Sequence, residues 1–201
     1  MVPEHPDKTA LMNSSRRLLL VLLLAEILIT ISVAMAYGVN VEALQASTRF
    51  SGRLSFAFFC IIFLFSAVKP PVLDRGYLTF AVIHTIHLFQ VGLFVSISGT
   101  ELIPLRLAGG AAGYFVIFSA AYVEHQSRYG KIHQRWFKRT EFLFHSYIWL
   151  LFLLTYIPRV NGTLPNAGGS YWEHVALLLV VISLPIIRMT RQVTLMPARE
   201  H

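Results

Sequence analysis

Residues 16–37 read RRLLLVLLLAEILITISVAMAY. Two arginines precede an apolar run, Leu18–Tyr37, that is broken by a single ionisable residue, Glu26. A helix rises about 1.5 Å per residue, so some 20 apolar residues cross roughly 30 Å of hydrocarbon. Ala34-Met35-Ala36 resembles a signal-peptide cleavage site. The apolar region of a secretory signal is only about 7–15 residues long, however, so this run is expected to stay in the protein as a membrane anchor.

Five further runs follow: Leu54–Val68, extended back to about Phe50, then Tyr77–Ser98, Leu102–Val123, Phe142–Ile157 and Trp172–Ile187. The chain of 201 residues is 55% hydrophobic and 13% charged. A soluble domain carries about 25% charged residues, so this chain has too little polar surface to dissolve. The expected fold is an all-α integral membrane protein, a bundle of about six transmembrane helices. A tail at 1–17 precedes the six-helix domain at 18–190, and a second tail covers 191–201. The lone cysteine, Cys60, excludes an internal disulfide and any cysteine-rich metal site.

The net charge is +7. In a soluble protein that would raise nucleic acid as a partner. Here the cations lie between apolar runs and read as orientation signals, with lipid as the partner and no nucleic acid. Lys8, Arg16, Arg17, Lys69, Arg75, Arg128, Lys131, Arg135, Lys138, Arg139, Arg188, Arg191 and Arg199 fall on one side; Arg49, Arg53, Arg106 and Arg159 fall on the other. Lys and Arg accumulate in cytoplasmic loops, so both termini are expected in the cytoplasm. Tyr37, Tyr171 and Trp172 lie at the outer boundaries, where amphipathic rings prefer to sit.

Ionisable residues inside a membrane are unfavourable and usually functional. Four stand out: Glu26, His84, His87 and His145. Counted from the cytoplasmic cations, Glu26 and His84 lie roughly 13 Å in, His87 roughly 18 Å and His145 roughly 9 Å. At those depths the four can meet in one core, whereas His133 and His174 fall at interfaces and are expected to face water. The HxxH pair His84/His87 projects from one helical face and suits a metal, but a metal cage needs three or four ligands and Glu26 is the only nearby carboxylate. A haem needs only two imidazoles from facing helices and an apolar slot, for which Phe80, Phe89, Phe142 and Phe144 are candidate walls. Interhelical hydrogen bonding by the histidines stays open beside both readings. Glu26 reads as a protonated hydrogen-bonding group, a partner to a ligating histidine, or a proton relay. Gly109 and Gly113 form a GxxxG that brings helix backbones together, inside the bundle or across a dimer. No phosphate-cradling glycine loop, dinucleotide fingerprint or nucleophile–base pair is present.

Three stretches carry a resemblance over roughly residues 48–157. They are Phe50-Ser51-Gly52-Arg53 at the start of the second run, His84-Thr85-Ile86-His87-Leu88 in the third, and Gly130-Lys131, Arg135-Trp136 and then His145 before the fifth. In order and spacing the chain resembles the ferric-reductase-like transmembrane domain family, in particular its haem-binding subunits that serve bacterial periplasmic methionine sulfoxide reductases. The resemblance implies a haem b electron carrier of the bacterial inner membrane. It would take electrons from a flavin reductase or quinone on the cytoplasmic side and pass them to a periplasmic acceptor. This chain has no flavin or nicotinamide domain of its own. The candidate cofactor-binding residues are His84, His87 and His145, the axial candidates for the haem iron, with Glu26 and Arg53. Family matching favours His87 as the ligand in the third run, whereas depth favours His84 opposite His145. Pro158 stands where the family often has a second histidine, so one haem is expected rather than two. The reading from a different class is a six-helix transporter or assembly protein without haem.

Overall fold

A computed structural model describes residues 8–66, 70–99, 103–164 and 168–195. Lys69, Arg199 and the outer parts of both tails lie outside the described residues. The helices are α1 Lys8–Tyr37, α2 Val41–Phe65, α3 Gly76–Ser98, α4 Pro104–Arg128, α5 Gln134–Val160 and α6 Tyr171–Leu195, with a 3-10 turn at Pro71–Leu73. Six of the described helices are long and apolar enough to cross a membrane, and no strand occurs among the described residues. The chain is thus an all-α, multi-pass membrane protein.

Local chemistry sets the breaks between helices. Asn40 serves two helices at once. Its Nδ2 donates to the Tyr37 carbonyl at the end of α1, and its Oδ1 accepts from the Ala43 amide, capping α2. Gly38, at φ 77°, supplies the left-handed residue that ends α1. Pro104 opens α4, where its missing N–H is not needed.

Successive helices run antiparallel. Thr30 lies opposite Ser47 and Glu26 opposite Ser51 across α1 and α2. The Tyr114 hydroxyl donates to the His84 carbonyl between α3 and α4, and the Trp149 indole donates to the Val181 carbonyl between α5 and α6. The starts of α1, α3 and α5 therefore gather at one end of the bundle, called the first end below. The starts of α2, α4 and α6 gather at the second end.

The shared core is aromatic. Phe58, Phe59, Phe80 and Phe144 are buried, together with Ile83, Ile117 and Leu184. Large apolar side chains point outward on every helix: Leu20, Ile61, Phe89, Phe115, Leu150 and Ile182 are all exposed, as lipid-facing surface requires. The GxxxG works inside the bundle. A Cβ on Gly113 would stand 2.5 Å from the Leu151 Cδ1, and the Gly109 carbonyl accepts from the Tyr147 hydroxyl.

Several boundaries differ from the sequence reading. Helix α1 begins inside the expected tail, at Lys8, and α6 continues to Leu195. Helix α2 begins at Val41, so Arg49 and Arg53 belong to it rather than to a loop. Helix α5 begins at Gln134, eight residues before its apolar run. Hydropathy marks the stretch immersed in lipid, whereas the helix continues past it through polar residues to its caps.

Candidate functional site

The polar residues of the core fall into two groups on either side of an aromatic layer. The group toward the second end is built on α2. Ser47, Ser51 and Ser55 recur every four residues and are all buried, forming one polar stripe down the helix. The Ser51 hydroxyl donates to Glu26 Oε1 at 2.8 Å, and Ser47 lies 3.5 Å from the Thr30 hydroxyl. Glu26 is 3% exposed. Its Oε2 and the Ser55 hydroxyl have no hydrogen-bond partner among the described residues.

His87 packs on another side of the same α2 turn. Its ring lies against the backbone at Thr48. A Cβ on Gly52 would sit 2.9 Å from His87 Cε1, so the missing side chain of Gly52 is what admits the imidazole. Glu26 and His87 thus flank one turn of α2, residues 48–52. His84 lies beside His87, with ring centroids 5.3 Å apart, and is sandwiched between Phe80 at 5.1 Å and Tyr114 at 5.2 Å. His84 Nδ1, His87 Nδ1 and Gln90 Oε1 are buried and have no hydrogen-bond partner among the described residues.

The loop before α6 covers this group at the second end. Arg53 pairs with Glu173 at 2.6 Å and stacks over Phe50. The Arg49 guanidinium is pressed against Gly168, where a Cβ would be 2.0 Å from its Nη1. The His174 ring lies 3.0 Å from the Gly168 carbonyl and is buried. The sequence placed His174 in water. The fold removes it by laying the 168–170 backbone over its ring. His133 does stay exposed, and accepts from the Arg135 amide to cap α5.

The other group lies toward the first end. Glu124 is buried and accepts from the Tyr77 and Leu78 amides, at 3.3 and 2.9 Å. It caps α3 from a different helix, because Arg75 at the N-cap provides no side-chain bond. Tyr77 donates to Glu141 at 2.9 Å, and Arg128 pairs with Asp74. Glu124, Tyr77, Asp74 and Arg128 border a cavity of about 340 Å³. Glu124 did not stand out in the sequence, since it sits where an apolar run meets a charged loop. A carboxylate there reads as solvated unless the N-terminus it caps is known.

His145 belongs to this end and not with the other histidines. It is buried, with its ring edge-on to Phe63 at 5.4 Å, Phe144 at 5.5 Å and Tyr77 at 5.9 Å. His84 is seven residues further along α3 than Tyr77, about 10 Å by helical rise, and His87 is about 15 Å further. Phe80 and Phe144, both fully buried, occupy the space between: Phe80 stacks on His84 and meets Phe144 at 5.4 Å. Phe89 and Phe142, two of the four expected wall residues, point outward instead.

Two imidazoles on one iron place their nitrogens about 4 Å apart, at about 2 Å per bond. Counted by helical rise, His145, packed beside Tyr77, falls about 10 Å short of His84 and about 15 Å short of His87 along α3. The two α3 histidines project from one face of one helix and cannot take opposite sides of a porphyrin. The residues present therefore do not fit a bis-histidine haem in this packing. No group of three or more His, Cys, Asp or Glu side chains able to hold a metal ion occurs among the described residues.

Comparison with family models, curated proteins and solved structures finds no match for this chain.

Proposed function

We propose that this protein is a proton-translocating carrier of the bacterial cytoplasmic membrane, with Glu26 as its proton-binding group. The observation that carries the reading is the Glu26 carboxyl itself. It is buried in the middle of α1, holds one hydrogen bond from Ser51, and keeps its second oxygen without a partner among the described residues. A carboxyl in that setting takes up and releases a proton at a hydrogen-bonded site, the arrangement by which pumps and transporters use intramembrane acids. The serine stripe, His87, His84 and Gln90 make the middle of the bundle and its second-end side polar. The Phe58, Phe59, Phe80 and Phe144 layer closes it toward the first end. That asymmetry suits a carrier whose binding site opens to one face at a time.

Eleven Lys or Arg of the described residues (Lys8, Arg16, Arg17, Arg75, Arg128, Lys131, Arg135, Lys138, Arg139, Arg188 and Arg191) belong to the first end, against Arg49, Arg53, Arg106 and Arg159. The first end is then cytoplasmic, together with both termini. The polar side then faces outward, beneath the loop that carries Gly168.

The haem electron carrier is the competing reading, and one experiment separates the two. Protein purified from haem-replete cells is colourless under the carrier reading, and in vesicles it takes up protons in a way that Glu26→Gln abolishes. A Soret band at one haem per chain, lost in His145→Ala, restores the electron carrier.

A further inference from the structure

The first two turns of α5 carry a cationic and apolar stripe that the carrier reading does not use. Arg135, Lys138, Arg139 and Phe142 are spaced by three and four residues and so share one helical face. With His133 and Gln134 they line an open groove. The opposite face of α5, through Phe137, Phe144, His145 and Ile148, is buried in the core. The stripe therefore looks away from the bundle.

Other cations at this end are held by the protein. Arg128 pairs with Asp74, Arg188 lies over Phe63, and Arg191 lies over Phe65 and donates to the Leu64 carbonyl. Arg139 lies over the exposed ring of Trp136. Neither Arg135, Lys138 nor Arg139 joins an ion pair seen among the described residues.

Length places the stripe in depth. Helix α5 has 27 residues, about 40 Å, which is some 10 Å more than the hydrocarbon thickness. Its first two turns thus rise into the head-group layer. Trp136 and Phe142 sit there at the depth where interfacial aromatics anchor. Below the cations, Leu143, Leu150 and Leu154 continue the face of Arg139 and are exposed.

We infer that the first turns of α5 seat one anionic phospholipid, its phosphate held by Arg135, Lys138 and Arg139 and its acyl chains lying along Leu143, Leu150 and Leu154. A cationic patch with an apolar track directly beneath it matches a phospholipid. An acidic soluble protein would meet the cations alone.

The test is native mass spectrometry of the purified full chain, titrated with phosphatidylglycerol, with phosphatidylcholine, and with glycerol phosphate as the head group without chains. Wild type is expected to retain one phosphatidylglycerol and to hold phosphatidylcholine at least tenfold more weakly. Glycerol phosphate at equal concentration leaves the bound lipid in place. Removing all three charges (Arg135→Gln, Lys138→Gln, Arg139→Gln) weakens retention on the order of 100-fold, whereas Arg135→Lys with Arg139→Lys keeps it. Equal binding of the two lipids by wild type, displacement by glycerol phosphate, or undiminished retention in the uncharged variant overturns the assignment. The lipid comparison on wild type needs no variant to fold.

Discussion

Ser51 donates a 2.8 Å hydrogen bond to Glu26 across the α1–α2 interface, and both side chains are buried. The bond joins the one carboxyl of α1 to the polar stripe of α2. It is the link through which a local feature of the sequence becomes part of a site. Replacing Ser51 with Ala leaves Glu26 without its donor. A lost bond to a buried polar group costs about 1–3 kcal/mol. The thermal midpoint of Ser51→Ala in detergent should fall by several degrees, and Glu26→Gln, which still accepts from Ser51, should fall less.

Gly52 is the second contact point of this turn. A side chain there meets the His87 ring at 2.9 Å. Gly52→Val is expected to displace the imidazole and to destabilise the protein by about 1–3 kcal/mol, the usual effect of overpacking. Combining it with His87→Ala opens the space and should recover most of the loss. Additive losses in the double variant would mean that the contact is not formed.

The class of fold was readable at once, because lipid demands long apolar helices and the runs are plain. The site was readable only in part. Glu26, His84 and His87 stood out as ionisable groups in apolar runs, and all three line the second-end group. Their partners did not stand out. Ser51 and Gly52 are common small residues, and only the pairing of α2 with α1 and α3 gives them meaning. The expected meeting of His145 with His84 rested on depth counted from flanking cations. Helix α5 begins in the middle of those cations, at Gln134, so the count carried no information on its register against α3. That register is set by packing of Phe144 between Phe59, Phe80 and Tyr77.

The same packing makes the aromatic layer testable. Phe144→Ala removes a fully buried ring and should cost about 3–5 kcal/mol. Phe144→Leu should cost clearly less. Unfolding monitored by tryptophan fluorescence in detergent gives both values, and a loss near zero for Phe144→Ala would show that the ring is not enclosed.

Glu124 is expected to act as a cap for α3. Glu124→Ala leaves the Tyr77 and Leu78 amides without their acceptor and should destabilise by about 0.5–2 kcal/mol. Amide hydrogen exchange at the start of α3 should rise in step. Unchanged exchange there would remove the capping role.

The topology proposed from the cation count can be tested directly. Reporter fusions at the carboxy terminus and in the loop containing Asn161 should report cytoplasmic and external positions respectively. A carboxy terminus outside would reverse the bundle and turn its polar side to the cytoplasm.

The measurement that bears most directly on the carrier reading is proton uptake into vesicles containing purified protein, followed with an enclosed pH-sensitive dye under an imposed membrane potential. Wild type is expected to acidify the vesicles faster than protein-free controls, and Glu26→Gln, folded to the same extent by its thermal midpoint, to match the controls. Equal acidification by wild type and Glu26→Gln, or by wild type and empty vesicles, would contradict Glu26 as a proton carrier and leave its bond to Ser51 as a structural tie between two helices.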